Sequence, residues 1–431
     1  MTEIINIIIQ IFYIYFLTLF PFNKKFIKKN KDKKLFSNLD IATINLTMNM
    51  LLFFIVSFFP IKLISIFYFQ IFVGLIFLIN FKKKYLINID YIIQFSFLFI
   101  VIFILSVDLA SNLTLGWDSH FRWIIKALNF YQGNSINNLI NFTDPEYPHF
   151  GSYIWAYFWK ISILDYEYFG RIFYISFYVI SIFSICEIFD TDKFKRLTIA
   201  LIIIIISYRY LPFNGYQDII IFSFLTLIAK NLFLILNKNV VNKIYYFALI
   251  INLILVSWIK TEAMFYSIFL LIILFFMDKN KNVRLLTFST IFFIISTKLI
   301  IYNFFDFPIL LQGETYNQSI FDFEFKDLLS RFSLVSKYYF LFLFDNILML
   351  FCLISLIYLV RNNYNVPIVK FVTIFYIFNI SFILASHLFM NLQNLDYWIT
   401  HTIPRFMLQT SGIYIISIAI IYNIRLKKIY K

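Results

Sequence analysis

Cysteine is almost missing from this 431-residue chain: only Cys186 and Cys352 occur, both inside apolar stretches. They form neither a disulfide framework nor a metal-ligand spacing. Glycine and proline are nearly as sparse, with eight of each scattered over the whole length. Pro/Gly-rich linkers and low-complexity tails are thereby excluded, and no repeat of solenoid period is visible. Charged residues make up 14% of the chain, against roughly a quarter in soluble domains. That shortage excludes an ordinary soluble fold.

What is present instead is apolar sequence. Hydrophobic residues account for 61% of the chain, and mean hydropathy is +0.81. Runs of membrane-spanning length recur from end to end and do not alternate in polarity, which argues for helices and against a β-barrel. The expected fold is all-α, a polytopic transmembrane helix bundle of about 12–14 spans. Candidate spans are about 3–22, 39–59, 61–81, 90–110, 168–189, 197–212, 218–236, 244–259, 263–277, 285–302, 332–360, 366–386 and 405–423. The segment 148–165 reads as a further span or a half-inserted helix. The lysines near the N-terminus follow the first apolar run, so that run reads as a transmembrane helix and not as a secretory signal.

The net charge of +14 comes from 37 Lys and Arg against 23 Asp and Glu. These cations sit in short loops between spans, as the positive-inside rule requires, so nucleic acid is not an expected partner and membrane lipid is. Seven lysines lie between Lys24 and Lys34, three more are Lys82, Lys83 and Lys84, and further groups are Lys193, Lys195 and Arg196, then Lys279, Lys281 and Arg284. The tail adds Arg425, Lys427, Lys428 and Lys431. Alternating spans place all of them on one side, assigned to the cytoplasm, provided 148–189 crosses once in net. The opposite, outer side then receives 111–147, 303–331 and 387–404. The second of these carries Asp306, Glu314, Asp322, Glu324 and Asp327 against Lys326 and Arg331.

Five blocks on that outer side could carry chemistry. The first is Gly116-Trp117-Asp118-Ser119-His120-Phe121-Arg122-Trp123-Ile124-Ile125-Lys126-Ala127. Phe121, Ile124, Ile125 and Leu128 recur at helical spacing, with Arg122, Lys126 and Asn129 on another face. This predicts a short amphipathic helix on the outer membrane surface, with Trp117 and Trp123 at headgroup level. Asp118 and Arg122 are spaced to pair. Asp118 is also an acid that a helix N-terminus favours for purely structural reasons. The second block is Asp144-Pro145-Glu146-Tyr147-Pro148-His149, a turn feeding the next segment, in which Glu146 and His149 are candidate ligands for a metal or substrate. The third, Asn214-Gly215-Tyr216-Gln217-Asp218, has a glycine suited to a tight turn and an acid at a helix start. The fourth, Trp258-Ile259-Lys260-Thr261-Glu262, lies between two unusually short apolar runs. That recesses a Lys and a Glu into the headgroup boundary, where they are costly unless paired or used. The last is Asp396 to Arg405. Arg405 is on the wrong side for the positive-inside rule, and a phosphate partner, snorkelling or a pair with Asp396 would each account for it.

Taken in order, Trp117-Asp118, then Trp123-Ile124-Ile125-Lys126-Ala127, Tyr147-Pro148, Gly215-Tyr216-Gln217-Asp218, Lys260-Thr261-Glu262 and Arg405 resemble integral-membrane glycosyltransferases of the GT-C type. That group includes the dolichyl-phosphate-mannose protein mannosyltransferases and bacterial transferases that decorate lipid A or lipopolysaccharide. The resemblance covers roughly 90–423. It implies a GT-C-like catalytic domain at 90–431, with an outer-surface loop carrying juxtamembrane helices, and an N-terminal segment of extra helices at 1–89. Thr261 and Ala263 stand where many relatives carry Asn and Gly, and Ser119 and His120 stand where many carry a second acid. A divalent cation is left open on that account.

The resemblance implies a hexosyl- or pentosyltransferase taking sugar from a polyprenyl-phosphate donor to a glycan, lipid or protein acceptor. Asp118 would be the catalytic base. Trp117, Arg122, Lys126, Tyr147, Asp218, Lys260, Glu262 and Arg405 would bind substrate, with Arg405 or Lys260 facing the departing phosphate. The expected place is a bacterial inner membrane with the site outward, in cell-envelope glycan synthesis. A transporter or flippase of a lipid-linked sugar, and a cell-surface polysaccharide polymerase or ligase, are the alternatives. The flippase would need internal repeats and polar residues at mid-membrane depth.

Overall fold

The structure, a computed structural model, describes residues 1–22, 37–81, 89–142, 144–208, 213–238, 243–308, 325–388 and 395–429. Lys24 to Lys34, Lys82 to Lys84, Glu314, Asp322 and Glu324 lie outside them. Among the described residues the chain is helical with no strand. It is a multi-pass, all-α helix bundle, as the unbroken apolar runs require.

The helices in chain order are α1 (Thr2–Leu17), α2 (Asn38–Val56), α3 (Leu63–Phe81), α4 (Ile89–Ser111), α5 (Ile124–Tyr131), α6 (Phe150–Lys160), α7 (Tyr168–Cys186) and α8 (Lys193–Tyr208). They continue as α9 (Asp218–Lys238), α10 (Lys243–Val256), α11 (Thr261–Met277), α12 (Lys281–Phe304), α13 (Phe325–Asp345), α14 (Ile347–Asn363), α15 (Pro367–Leu388) and α16 (Leu395–Ile429).

Seven of these are long and apolar enough to cross a membrane, α2, α4, α7, α9, α12, α15 and α16. The expected single span 332–360 is instead α13 and α14, broken at Asn346 and bent by 99°. Counted as one span, that pair makes the number eight. The Asn346 side chain accepts from the Met349 amide and so caps α14 at the break. Helices α1, α10 and α11 are apolar and shorter, with 16, 14 and 17 residues, and α3 is apolar over 63–79. Together with the seven long helices and the bent pair they make twelve apolar segments among the described residues. Helix α6 has 11 residues, about 16 Å of rise, and cannot cross, so 148–189 makes its one crossing through α7.

Helix α7 is buried along its whole length. It is apolar all round, and such a helix belongs at the centre of a bundle. Helix α9 is 94% buried over its span and packs between α7 and α16. By contrast α12 is only 28% buried and presents Phe288, Phe292, Leu299 and Ile300 outward. In a membrane protein an apolar outer face meets lipid.

Helices α1 to α3 share this core. Gln10 donates to the Phe158 carbonyl at 2.9 Å, Thr47 to Asn252 at 3.0 Å, and the Tyr157 hydroxyl to Gln70 at 2.6 Å. At the end of the bundle where α7 finishes, the Lys230 ammonium of α9 lies between Asp40 of α2 and Glu187, 2.9 Å from Glu187, and also donates to Ser184. The turns 191–196 and 278–280 lie at that same end. Residues 112–118, 213–218, 258–262 and the first turns of α16 lie at the other.

Candidate functional site

Two loops build the first half of the site. The Gly116 amide donates to the Asn214 carbonyl at 2.9 Å, fastening the entry to Asp118 onto the loop before Asp218. Gly215 has φ +86°, a left-handed conformation that other residues adopt only with strain. A Cβ there would lie 2.7 Å from the Trp155 ring and 3.0 Å from Ser119 Cβ. At Gly116 a Cβ would strike the Tyr216 ring at 2.5 Å. Close approach of these loops therefore depends on two missing side chains.

A chain of charges follows. Asp118, 8% exposed, accepts from Arg405 Nη1 at 2.7 Å. Arg405 Nε donates to Asp218 Oδ2 at 3.0 Å. The other Asp218 oxygen is 3.4 Å from Lys260 Nζ, which is 2.6 Å from Glu262. Gln409, one helical turn beyond Arg405, donates to Asp218 and, at 3.2 Å, to Glu262. The Arg405 guanidinium lies over the Tyr216 ring, 4.3 Å from its centre, a favourable cation–π position. Asp118, Asp218, Lys260, Glu262 and Arg405 thus meet at one end of the bundle, from four separate parts of the chain. Arg405 pairs here with Asp118 and Asp218, and Lys260 and Glu262 form their mutual ion pair as part of the same network. Gln409 was not singled out in the sequence; its spacing of four from Arg405 within α16 was the available signal.

Local backbone explains the positions. Asp218 opens α9 and Lys260 immediately precedes α11, in extended conformation. Pro404 lacks the N–H that would bond the Thr400 carbonyl, so α16 is weakened one residue before Arg405.

The segment after Asp118 departs from the expected surface helix. Ser119–Trp123 is a π-helical turn leading into α5; such turns recur at functional sites. Trp117 is 54% exposed, but Trp123 is 1% exposed and packed in the core. The polar face is the buried one. Lys126 and Asn129 point inward, and Phe121 and Leu128 outward. An amphipathic helix flanked by lipid and protein turns its apolar side to the lipid, the reverse of its orientation beside water.

Lys126 donates to the carbonyls of Asp144 and Tyr147, both at 2.7 Å. It holds the Asp144–Tyr147 turn by its backbone and is not aimed at open space. Burial, and behind it the Arg122 charge, push its pKa down to about 7, although Glu146 and Asp144 oppose this. Arg122 makes its tight ion pair with Asp144, which opens the second sequence block but has no role assigned there, and lies 3.5 Å from Asp118. Its cation also stacks on Tyr147, 4.8 Å from the ring centre. Burial disfavours the Arg122 charge, but Tyr147, Asp144 and Asp118 outweigh it and raise its pKa. Asp144 has φ 54°, a strained value for a non-glycine residue that its neighbours must impose. Arg122 on its side chain and Lys126 on its carbonyl are those neighbours. Burial pushes the Tyr147 phenol up to about 12.

His149 and Glu146, the candidate metal ligands, do not come together with a third. The His149 ring is buried among Phe58, Phe130 and Trp258, with Nε2 2.8 Å from Ser57 Oγ. Burial, Lys126 and Lys298 push its pKa down to about 3. The Glu146 carbonyl accepts from Tyr302. Among the described residues no three His, Cys, Asp or Glu side chains are grouped to hold a metal.

No family model, no curated protein and no solved structure matches this chain.

Proposed function

We propose that this chain is an inverting membrane glycosyltransferase that moves a sugar from a polyprenyl-phosphate donor to an acceptor hydroxyl, with Asp118 as general base. One observation carries the reading. The acid singled out as the base, nine-tenths buried, is joined through Arg405, Asp218 and Lys260 to Glu262. Five residues quoted for the family resemblance thus form one continuous network. A network of alternating acids and bases recessed into a membrane protein is costly to build, and such sites mark substrate paths or chemistry more often than architecture.

In the proposed step Asp118 takes the proton of the acceptor hydroxyl as that oxygen attacks the anomeric carbon. The carbon–oxygen bond to the donor phosphate breaks, its electron pair stays on the phosphate, and the anomeric configuration inverts. The transition state has oxocarbenium character, as in glycoside hydrolysis. The phosphate leaves as a stable anion without a general acid. Arg405 supports it: its Nη2 is buried and unpartnered, so one N–H is available to a phosphate oxygen without breaking either carboxylate contact. The loops holding Asp118, Asp218 and Glu262 face outward, the basic turns face the cytoplasm, and the membrane is a bacterial inner membrane. The acceptor is a glycan, lipid or protein of the cell envelope.

The test is transfer from labelled polyprenyl-phosphate sugars by membranes carrying wild type or Asp118→Asn at equal protein level. Asn keeps an oxygen for Arg405 but removes the base, so a loss of about 10²–10⁴-fold is expected. Undiminished transfer by Asp118→Asn would remove Asp118 as base. No transfer by wild type from any such donor would favour transport of a lipid-linked sugar.

A further inference from the structure

Positive charge near this site is almost all spoken for. Arg405 lies between Asp118 and Asp218, Lys260 between Asp218 and Glu262, and Arg122 between Asp144 and Asp118. Lys126 is occupied by two carbonyls. Lys298 of α12 is different. It is 5% exposed, and its Nζ has no hydrogen-bond partner among the described residues. It lies over the Trp258 ring, with the ring centre 5.5 Å from Nζ.

Two more donors are unsatisfied in the same region. Trp258 Nε1 and Thr261 Oγ1 are buried without partners. Helices α11 and α12 are antiparallel neighbours joined by residues 278–280. Counting equal rises back from that turn brings Lys298 level with Thr261. An ammonium, an indole N–H and a hydroxyl therefore stand at one depth on adjoining elements, all able to donate. Glu262, which directly follows Thr261, is engaged by Lys260 and Gln409. A buried ammonium left without a partner is costly inside a membrane protein, and what would relieve it is an anion brought by a ligand.

We propose that Lys298, with the Trp258 indole N–H and the Thr261 hydroxyl, forms an anion site that receives the phosphate of a lipid ligand. This deepens the transferase reading and rests on its lipid-phosphate donor, but assigns the main phosphate charge to Lys298, with Arg405 reserved for the carboxylates and the departing oxygen. A lipid is favoured over free phosphate because α12 is the least buried of the long spans. Around Lys298 it presents Phe292, Ile295, Leu299 and Ile300 outward, so an isoprenoid tail has an apolar surface to follow while its head turns inward.

The experiment uses the full chain in detergent and three probes: geranyl phosphate, inorganic phosphate and geraniol. Geranyl phosphate is expected to bind wild type, and geraniol at least tenfold more weakly. A hydrogen bond to a charged group is worth about a tenfold change or more, so Lys298→Met is expected to weaken geranyl phosphate about tenfold or more while Lys298→Arg stays within about threefold. Lys298→Met should also melt no lower than wild type, since it replaces an unpaired buried charge with an apolar chain of similar length. Unchanged binding by Lys298→Met, or a melting point well below wild type, overturns the proposal. Inorganic phosphate displacing geranyl phosphate at equal concentration makes it a free-phosphate site and overturns the lipid assignment. Asp118→Asn is expected to bind geranyl phosphate no more weakly than wild type, since loss of the Asp118 charge only loosens its hold on Arg405. The two readings then fail separately. Binding that ignores Lys298 while transfer needs Asp118 sinks only the anion site; binding that needs Lys298 with no transfer from any donor sinks only the transferase.

Discussion

Arg405 Nη1 donates to Asp118 Oδ2 at 2.7 Å although 287 residues separate them in sequence. The same guanidinium turns its Nε to Asp218, so one planar group sets the distance between two carboxylates. Lysine, a point charge on a flexible stem, cannot fix two acids in this way. The relationship also couples the proposed steps. When Asp118 takes up a proton its hold on Arg405 weakens, and the guanidinium is freed towards negative charge arising on the departing phosphate.

Arg405→Ala is therefore expected to harm more than catalysis. It leaves Asp118 and Asp218 with one cation fewer each, and removing one partner of a largely buried pair destabilises by about 3 kcal/mol. Arg405→Lys should recover much of that stability but little of any transfer activity. Thermal melting in detergent alongside transfer assays separates the two. An Arg405→Lys variant as active as wild type would show that the bidentate geometry is unimportant.

Gly215 and Gly133 form a matched pair for testing how the loops are assembled. Both have positive φ, +86° and +87°. A Cβ at Gly133 meets nothing within 4 Å, whereas at Gly215 it meets Trp155 and Ser119. Gly133→Ala is expected to cost about 1 kcal/mol from the backbone alone, and Gly215→Ala about 1–3 kcal/mol more. Equal effects on melting temperature would mean that the 116–119 and 213–218 loops are not held as closely as described.

Lys126 gives a pH dependence with a definite sign. Its pKa is pushed down to about 7, first by burial, while in an unfolded chain it is about 10.4. Between those values the unfolded state binds the extra proton, so stability should rise with pH across that window. Below pH about 7 the ammonium is charged in both states and the burden of burying it is constant. Lys126→Met should flatten the rise in melting temperature between pH 7 and 10. It should also loosen the 144–147 turn, seen as faster amide exchange at Tyr147. A wild-type melting curve as flat as that of Lys126→Met over this range would contradict the shifted titration.

The bundle was legible because long apolar runs admit few structures in lipid. Asp118, Asp218, Lys260, Glu262 and Arg405 were legible because a charge stands out in a chain with so few. Their pairing was not, since the partners of Arg405 lie 187 and 287 residues away. The burial of Trp123, Lys126 and Asn129 was not legible, because the amphipathic reading put water beside α5. The span 332–360 hid its break because Asp345 and Asn346 are only two adjacent polar residues midway along a long apolar run. Lys298 escaped notice inside the expected span 285–302, where no neighbouring motif marked it.

At the opposite end of the bundle, Lys230 holds Asp40 of α2 and Glu187 after α7. All three are largely buried, and Tyr245 and Ser37 add hydrogen bonds to the two acids. This triad, and not apolar packing alone, fixes α2 against the central helices. Lys230→Met strands two buried carboxylates side by side and is expected to destabilise by about 3–5 kcal/mol. Neutralising all three, as Asp40→Asn, Glu187→Gln and Lys230→Met together, removes both the attraction and the stranded charge and should return most of the loss. Melting temperatures of the single and triple variants test this. A triple variant no more stable than Lys230→Met would mean that specific hydrogen bonds, and not charge compensation, hold α2 in place.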